Sequence, residues 1–405
     1  MMEKMKKPTL FGYGLTTKAI AKSLGGGCNF FDDNAKEIYS DEENNTIYPS
    51  ALFDANKSTL EVTTPSVPPS HPLIASANNL LSEYDFFAKE MPFSVWISGT
   101  NGKTTTTQML THLLEKRGAV SGGNIGTPLA KLDTKAPIWV LESSSFTLHH
   151  TNIASPNIYL LLPITPDHLD WHGTPEQYEA DKLKPLLTMK EGELALLPKG
   201  LNLPQTDAFV VEYDSADFLA NYFNIDVSKI RFKAAFLEDA LIALAVTKTL
   251  FDEVDYDAIN AFTLDNHRQE EMHDTQGRLW VNDSKATNLD AAIQAVKTYD
   301  EKFIHLIVGG NDKGADLTPL FELIQGKELH LYTIGANSQK LATLAKQFNI
   351  NFTACETLEN AIKSIDATRK KDDVALLSPA AASFDQFNSY KHRGEEFFRI
   401  IKSIT

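Results

Sequence analysis

The run Ser98-Gly99-Thr100-Asn101-Gly102-Lys103-Thr104-Thr105 follows an apolar stretch and precedes a helical pattern. Glycines at a strand-to-helix turn let successive backbone N–H groups and the helix N-terminus surround a triphosphate. Lys103 would reach the β and γ phosphates, and the Thr104 hydroxyl would sit on Mg²⁺, as in a P-loop. The spacing is a shortened variant of that loop, because Ile97 stands six positions before Lys103 where the strict pattern has Gly. Gly99, Thr100, Asn101, Gly102, Lys103, Thr104 and Thr105 are the candidate phosphate-binding residues, and nucleotide hydrolysis or transfer is the expected chemistry. A Gly-rich turn with an incidental lysine is the bland alternative.

Downstream, Leu141-Glu142 ends an apolar run, where a carboxylate can face the loop and take Mg²⁺ directly or through water. A second apolar run leads to Thr165-Pro166-Asp167-His168-Leu169-Asp170, then Tyr178 and Lys182. Polar groups crowded past a strand's carboxyl end lie where open α/β sheets bind ligands. Lys285 and Lys313 each follow a later strand candidate. Near the start, Thr9–Phe11 runs into Gly12-Tyr13-Gly14 and a helical stretch, and Cys28–Phe31 ends at Asp32-Asp33. This is a βαβ opening without the third Gly of a dinucleotide fingerprint.

The elements that must position these groups alternate. Strand candidates are Phe93–Ser98, Ile138–Leu141, Ile158–Leu162, Leu279–Val281, Phe303–Val308, Leu329–Ile334 and Val374–Leu377. Helical stretches are Lys103–Arg117, Leu289–Tyr299, Ser338–Phe348 and Gly394–Ile404. Such alternation predicts an α/β protein of parallel sheets covered by helices. At 405 residues the chain is long enough for three domains, with boundaries expected at 1–88, 89–265 and 266–405.

Net charge is -15, and the acidic excess is largest over 89–265. No segment has the basic excess that displaces counterions from nucleic acid. The apolar runs fall short of the ~20 residues that span a bilayer. Met1–Lys7 is basic, but Gly12 and Gly14 interrupt the chain before an apolar stretch develops, so secretion is not expected. Cys28 and Cys355 form no C-x-x-C pair, which suits a reducing cytoplasm.

Taken together, Gly99–Thr104, Gly123-Asn124-Ile125-Gly126, Leu141–Ser145, Asp167–Asp170 and Asn282-Asp283-Ser284-Lys285-Ala286-Thr287-Asn288 resemble the Mur ligase family in residue, order and spacing. Gly309–Lys313 and Leu377–Phe387 extend the resemblance through the last third. It implies a Rossmann-like UDP-binding domain, a central P-loop ATPase domain with a parallel sheet, and a C-terminal Rossmann-like domain. It also implies ATP-dependent joining of D-glutamate to UDP-N-acetylmuramoyl-L-alanine through an acyl phosphate, by a cytoplasmic monomer that needs neither nucleic acid nor membrane. Lys103, His168 and Lys182 are the implied catalytic residues. Two Mg²⁺ ions are expected on Thr104, Glu142, His168 and Lys182, one of them through a carbamate on Lys182. The gap between His168 and Lys182 is one residue shorter than the family pattern, which leaves Lys184 as the alternative.

The resemblance places the acceptor nucleotide at Leu15, Thr16, Asp32, Thr64 and Asn124. D-glutamate falls to Lys285, Thr287, Lys313, Ser383, Phe384 and Tyr390, and the ATP site also takes Arg268 and Asp283. One departure concerns adenine: the family's His-Asn-x-x-Asn stretch corresponds to the run Phe236–Ala240, which lacks both asparagines. Two other readings are a folylpolyglutamate synthase-like ligase of the same superfamily and a nucleotide-switched binding protein that makes no bond.

Overall fold

A computed structural model describes residues 7–404, so all but the last residue of the basic Met1–Lys7 stretch lies outside the described residues. Among the described residues, eighteen strands form three sheets. The first sheet has β1 (Thr9–Phe11), β2 (Asn29–Asp32), β3 (Tyr39–Ser40), β4 (Thr46–Pro49), β5 (Glu61–Val62) and β6 (Leu80–Leu81), in the order β3-β4-β2-β1-β5-β6. The second has β7 (Phe93–Ser98), β8 (Ala119–Gly123), β9 (Ile138–Glu142), β10 (Ile158–Leu161), β11 (Leu194–Pro198) and β12 (Phe209–Tyr213), in the order β12-β11-β10-β7-β9-β8. The third has β13 (Glu270–His273), β14 (Leu279–Asn282), β15 (Ile304–Gly309), β16 (Leu329–Ile334), β17 (Phe352–Glu356) and β18 (Val374–Leu377), in the order β13-β14-β18-β15-β16-β17.

The second sheet is parallel throughout. Each of the others adds one antiparallel edge pair, β3 with β4 and β13 with β14. In β9 and β10 every residue is buried, as expected of strands covered by helices on both faces. β7 lies at the middle of its sheet, and the chain leaves it toward β9 and β8 before returning to β10 on its other side. That reversal of strand order opens a crevice at the carboxyl ends of β7, β9 and β10, the usual ligand position in such sheets.

By internal contacts the chain divides into two compact units. One comprises residues 1–232 and 236–262 and holds the first two sheets. The other comprises 233–235 and 263–405 and holds the third. Within the first unit the segment after β6 is fastened at three successive residues to the second sheet and the connections beside it. Glu83 Oε1 accepts the Leu129 N–H at 2.8 Å, and the Tyr84 hydroxyl donates to the Glu142 carbonyl at 3.2 Å. The Asp85 carboxylate accepts the N–H groups of Asn152, Ile153 and Ala154, each at 2.8 Å. Hydrogen bonds to a charged acceptor contribute about 1.5–3 kcal/mol each, so the three N–H groups on the Asp85 carboxylate make the firmest part of this join. No helix among the described residues is long and apolar enough to cross a membrane.

Candidate active site

β7 delivers the chain into Gly99–Gly102, and a helix starts at Lys103 (Lys103–Leu114). Gly102 caps it at φ 82°, and a Cβ there would approach Asp239 Oδ1 to 2.6 Å, so only glycine fits the turn. Thr100 ties the loop to the segment after β10. Its Oγ1 donates to the Thr165 carbonyl at 3.0 Å and accepts the Thr165 N–H at 2.9 Å. The Lys103 ammonium folds back onto the Gly99 and Thr100 carbonyls at 3.0 and 2.8 Å. Thr104 is half-buried in the first turn, and Thr105 is buried behind it.

Glu142 ends β9, the strand beside β7. Its side chain is buried, Oε1 accepts from Asn124 Nδ2 at 2.5 Å, and Oε2 has no hydrogen-bond partner among the described residues. A buried carboxylate oxygen without a donor is costly, and a hard divalent cation would satisfy it. These residues therefore fit Mg²⁺. His168 follows β10, caps the short helix Leu169–His172 in the left-handed region at φ 52°, and lies against the Phe146 ring at 4.8 Å. Its side chain is half exposed, and burial pulls its pKa below the ordinary imidazole value.

Lys182 comes from the helix Pro175–Leu183, whose start is fixed by Thr174 capping the Gln177 N–H at 3.2 Å and by Pro175 in the first turn. The side chain is 1% exposed and reaches the phosphate loop, with Nζ 2.8 Å from the Gly99 carbonyl and 3.4 Å from Ser98 Oγ. Burial, and then the Lys103 charge, push its pKa well below that of an ordinary lysine. Lys184 instead donates to the His149 carbonyl. Of the two lysines, Lys182 is the one at the loop.

The acceptor candidates lie in the same unit. Leu15 and Thr16 open the first helix (Leu15–Ser23), and Asp32 at the end of β2 accepts the Tyr13 N–H at 2.7 Å, which shapes the turn below them. Thr64 Oγ1 is 2.8 Å from Ser66 Oγ, and Thr64 shares a small cavity with Pro65, Glu83, Phe146 and His150. Phe146 bridges that cavity to His168.

In the second unit, β14, β18 and β15 are neighbours, and the D-glutamate candidates gather past their carboxyl ends. Lys285 places Nζ 4.2 Å from the centre of the Tyr390 ring. Ser383 is buried, Phe384 is 72% exposed, and Asn311 bridges to Ala382 beside Lys313. Arg268 and Thr287 flank Asp283 and Lys285 along the chain; Arg268 is half-buried and Thr287 exposed. Sequence reasoning missed Arg393, which is buried and holds Ser284 Oγ, the Ser284 carbonyl and the Ala381 carbonyl at 2.9, 2.9 and 3.0 Å. It also missed His149, His172 and Asp181, which meet behind the loop that carries His168. The available signal was the recurrence of His four residues after His168.

Asp283 accepts from Ser378 Oγ at 2.8 Å, and full burial pushes its pKa up to about 7. The folded state therefore holds this proton at pH values where the unfolded chain has released it. Stability then falls as pH rises from the unfolded value toward about 7 and levels off above. Asp283→Asn should remove that slope. Urea midpoints of the two proteins between about pH 5 and about pH 8 are expected to diverge progressively, the variant gaining on the wild type. Parallel profiles would contradict the buried acid.

The helix Ala234–Phe251 carries Phe236–Ala240, the run that the resemblance sets against the family's adenine stretch, and Asp239 accepts from Thr106 Oγ1 at 2.9 Å beside Gly102. A carboxylate thus stands beneath the phosphate loop within a run that lacks both family asparagines.

Family models match residues 97–206 as the Mur ligase middle domain and residues 267–381 as the Mur ligase, glutamate ligase domain. The UDP-N-acetylmuramoylalanine--D-glutamate ligase of Campylobacter jejuni (strain RM1221) is 49% identical over 401 residues, 98% of this chain and 100% of that protein. The chain belongs to the Mur ligase family. The Helicobacter pylori (strain HPAG1) protein of the same name is 44% identical over 414 residues, covering 96% of this chain and 98% of its own. Among solved Mur ligases, MurF of Thermotoga maritima in complex with ADP aligns at TM-score 0.59 and 15% identity, over 100% of this chain and 96% of its own. MurC of Thermotoga maritima aligns at TM-score 0.58 and 16% identity, over 98% and 100%. At that identity the structures bear on the fold alone, and they share its three-domain α/β architecture.

Proposed function

We propose that this Mur ligase is the ATP-dependent, ADP-forming enzyme that joins D-glutamate to UDP-N-acetylmuramoyl-L-alanine in cytoplasmic peptidoglycan precursor synthesis. The observation that carries the reading is the convergence on one sheet edge of the phosphate loop, the Glu142 carboxylate with its unpartnered oxygen, and the buried amine of Lys182. The names of the relatives with near full-length similarity supply the substrates.

A carboxylate is a poor electrophile, so the γ-phosphoryl of ATP first passes to the acceptor's terminal carboxylate, giving an acyl phosphate and ADP. The free amine of D-glutamate then attacks the carbonyl carbon, the bond to phosphate oxygen breaks, and the nitrogen releases its proton to solvent. Mg²⁺ supplies charge neutralisation between the two anions. The chain's own residues do the positioning. The amides of Gly99–Lys103 receive the phosphates, and Lys103 exchanges the Gly99 and Thr100 carbonyls for phosphate oxygens. Thr104, Glu142 and His168 would hold metal, and Asn124, bonded to Glu142, would orient the acceptor. Lys182, its amine already biased toward the neutral form, is the residue to carry a carbamate, whose two anionic oxygens suit a hard cation. Arg268 and Asp283 are the further residues that the family resemblance assigns to ATP. A dicarboxylic amino acid needs separate cations and hydroxyls for its two carboxylates, which Lys285, Lys313, Thr287 and Ser383 provide beside Phe384 and Tyr390.

The test is phosphate release from ATP. Release is expected only when UDP-N-acetylmuramoyl-L-alanine and D-glutamate are both present, with the amide product formed in equal amount. Turnover with neither substrate, or with L-glutamate as efficiently as D-glutamate, would overturn the reading.

A further inference from the structure

Three side chains outside the nucleotide machinery meet in a metal-ligand arrangement. His149 comes from the helix Ser145–His150, His172 from Leu169–His172, and Asp181 from Pro175–Leu183. His149 Nδ1 lies 2.9 Å from each Asp181 oxygen, and His172 Nδ1 lies 2.6 Å from Asp181 Oδ2. One ligand atom from each residue falls within 4.8 Å of the other two. We infer that His149, His172 and Asp181 form a site for a borderline transition-metal dication such as Zn²⁺ or Co²⁺, distinct from the Mg²⁺ position at Glu142 and His168.

The donor set fits that class. Two imidazoles to one carboxylate suit zinc and its neighbours, whereas Mg²⁺ takes a mainly oxygen ligand set, such as Thr104 and Glu142 offer. Tetrahedral ligands at 2.0–2.1 Å from zinc stand about 3.3 Å apart, so each imidazole nitrogen would move away from the Asp181 oxygens by less than about 1 Å. The surrounding groups already serve such a site. His172 Nε2 is 3.0 Å from Ser145 Oγ, which can accept a hydrogen bond from Nε2–H in the tautomer that leaves the Nδ1 lone pair for metal. Gln177 Nε2 donates to Asp181 Oδ1 at 2.9 Å and steadies the carboxylate.

His172 and Asp181 are buried, while the His149 side chain is 26% exposed, so an ion and a fourth, water ligand have a path from solvent. On binding, each neutral imidazole moves its single proton from Nδ1 to Nε2 by exchange with solvent, so the Nδ1 lone pair turns to the ion and the ring stays neutral. The order Ser145–His172–Asp181 also matches a nucleophile relay, but Ser145 is buried in the first turn of its helix and does not line the adjoining cavity. Ser145 therefore serves the imidazole. An ion here would lock together the three helices that follow Glu142, carry His168 and carry Lys182.

The test is titration of the full chain with Co²⁺ under a large excess of Mg²⁺, read by visible absorption. The wild type should give a saturable, one-equivalent spectrum of tetrahedral intensity. Glu142→Gln should keep it. His149→Ala, at a partly exposed position, should weaken Co²⁺ by more than about 100-fold, since losing even an outer-shell partner costs 10–100-fold. Asp181→Asn, which preserves volume, should do the same. No saturable spectrum in the wild type, unchanged affinity in His149→Ala, or loss of the spectrum in Glu142→Gln would each overturn the proposal. The phosphate-release assay is independent of this result, because the Co²⁺ spectrum is read without substrates.

Discussion

Lys182→Ala is expected to abolish amide synthesis, and added acetate or formate is expected to restore part of it. The proposed carbamate forms only from a neutral amine, and an ordinary lysine with pKa near ~10.4 is less than about 0.1% neutral at pH 7. Here burial and the neighbouring Lys103 charge lower the pKa well below that value. A small acid entering the vacated space would return anionic oxygens to the mouth of the loop, beside the Gly99 carbonyl that Lys182 now contacts. Lys184→Ala is the control, because its amine is engaged with the His149 carbonyl instead. If Lys182→Ala retains synthesis, or only Lys184→Ala shows loss and rescue, the carbamate belongs elsewhere.

Lys103→Ala should reduce turnover by about 10²–10³-fold or more, the scale of losing one charge-stabilising donor at a reacting centre. The loop would keep its amides and its Gly102 turn. Only the cation that follows charge onto the transferring phosphate is removed. The two carbonyls that Lys103 engages lie at the mouth of the loop, so the change in folding stability should stay under about 1 kcal/mol. Single-turnover phosphate release beside a urea melt separates the effects. Near-wild-type turnover would remove the loop from the mechanism.

Much of this arrangement is legible in the sequence because the chemistry sits where strong local signals sit. β7 is readable to the residue, an apolar run closed by Gly99, and the lysine of the loop marks the helix start. The edge pairings are not. Glu270–His273 alternates half-buried and exposed residues of largely polar type, so no apolar run announces β13. The sequence pattern starts the final helix at Gly394, whereas it spans Tyr390–Ile404. Gly394 reads locally as a helix boundary, yet a Cβ there would come within 2.3 Å of His267 Nδ1, so the glycine answers to a close tertiary approach. Arg393 and Asp181 escape a sequence reading for a related reason. Each owes its role to partners far along the chain or on other helices, and neither belongs to a motif of its own.

The fastening of Glu83, Tyr84 and Asp85 to the second sheet and the connections beside it gives the first unit the character of a calliper. One jaw is the turn at Leu15 and Thr16, and the other is the phosphate loop. Because Tyr84 grips the backbone of Glu142 itself, the gap between the jaws is set by covalent geometry and a few hydrogen bonds. On the proposed reading, an acceptor held by its nucleotide end at Leu15 and Thr16 would thereby be measured along its length. A carboxylate one amino acid too far or too near would then miss the γ-phosphate, and selection for the correct precursor would precede any bond making.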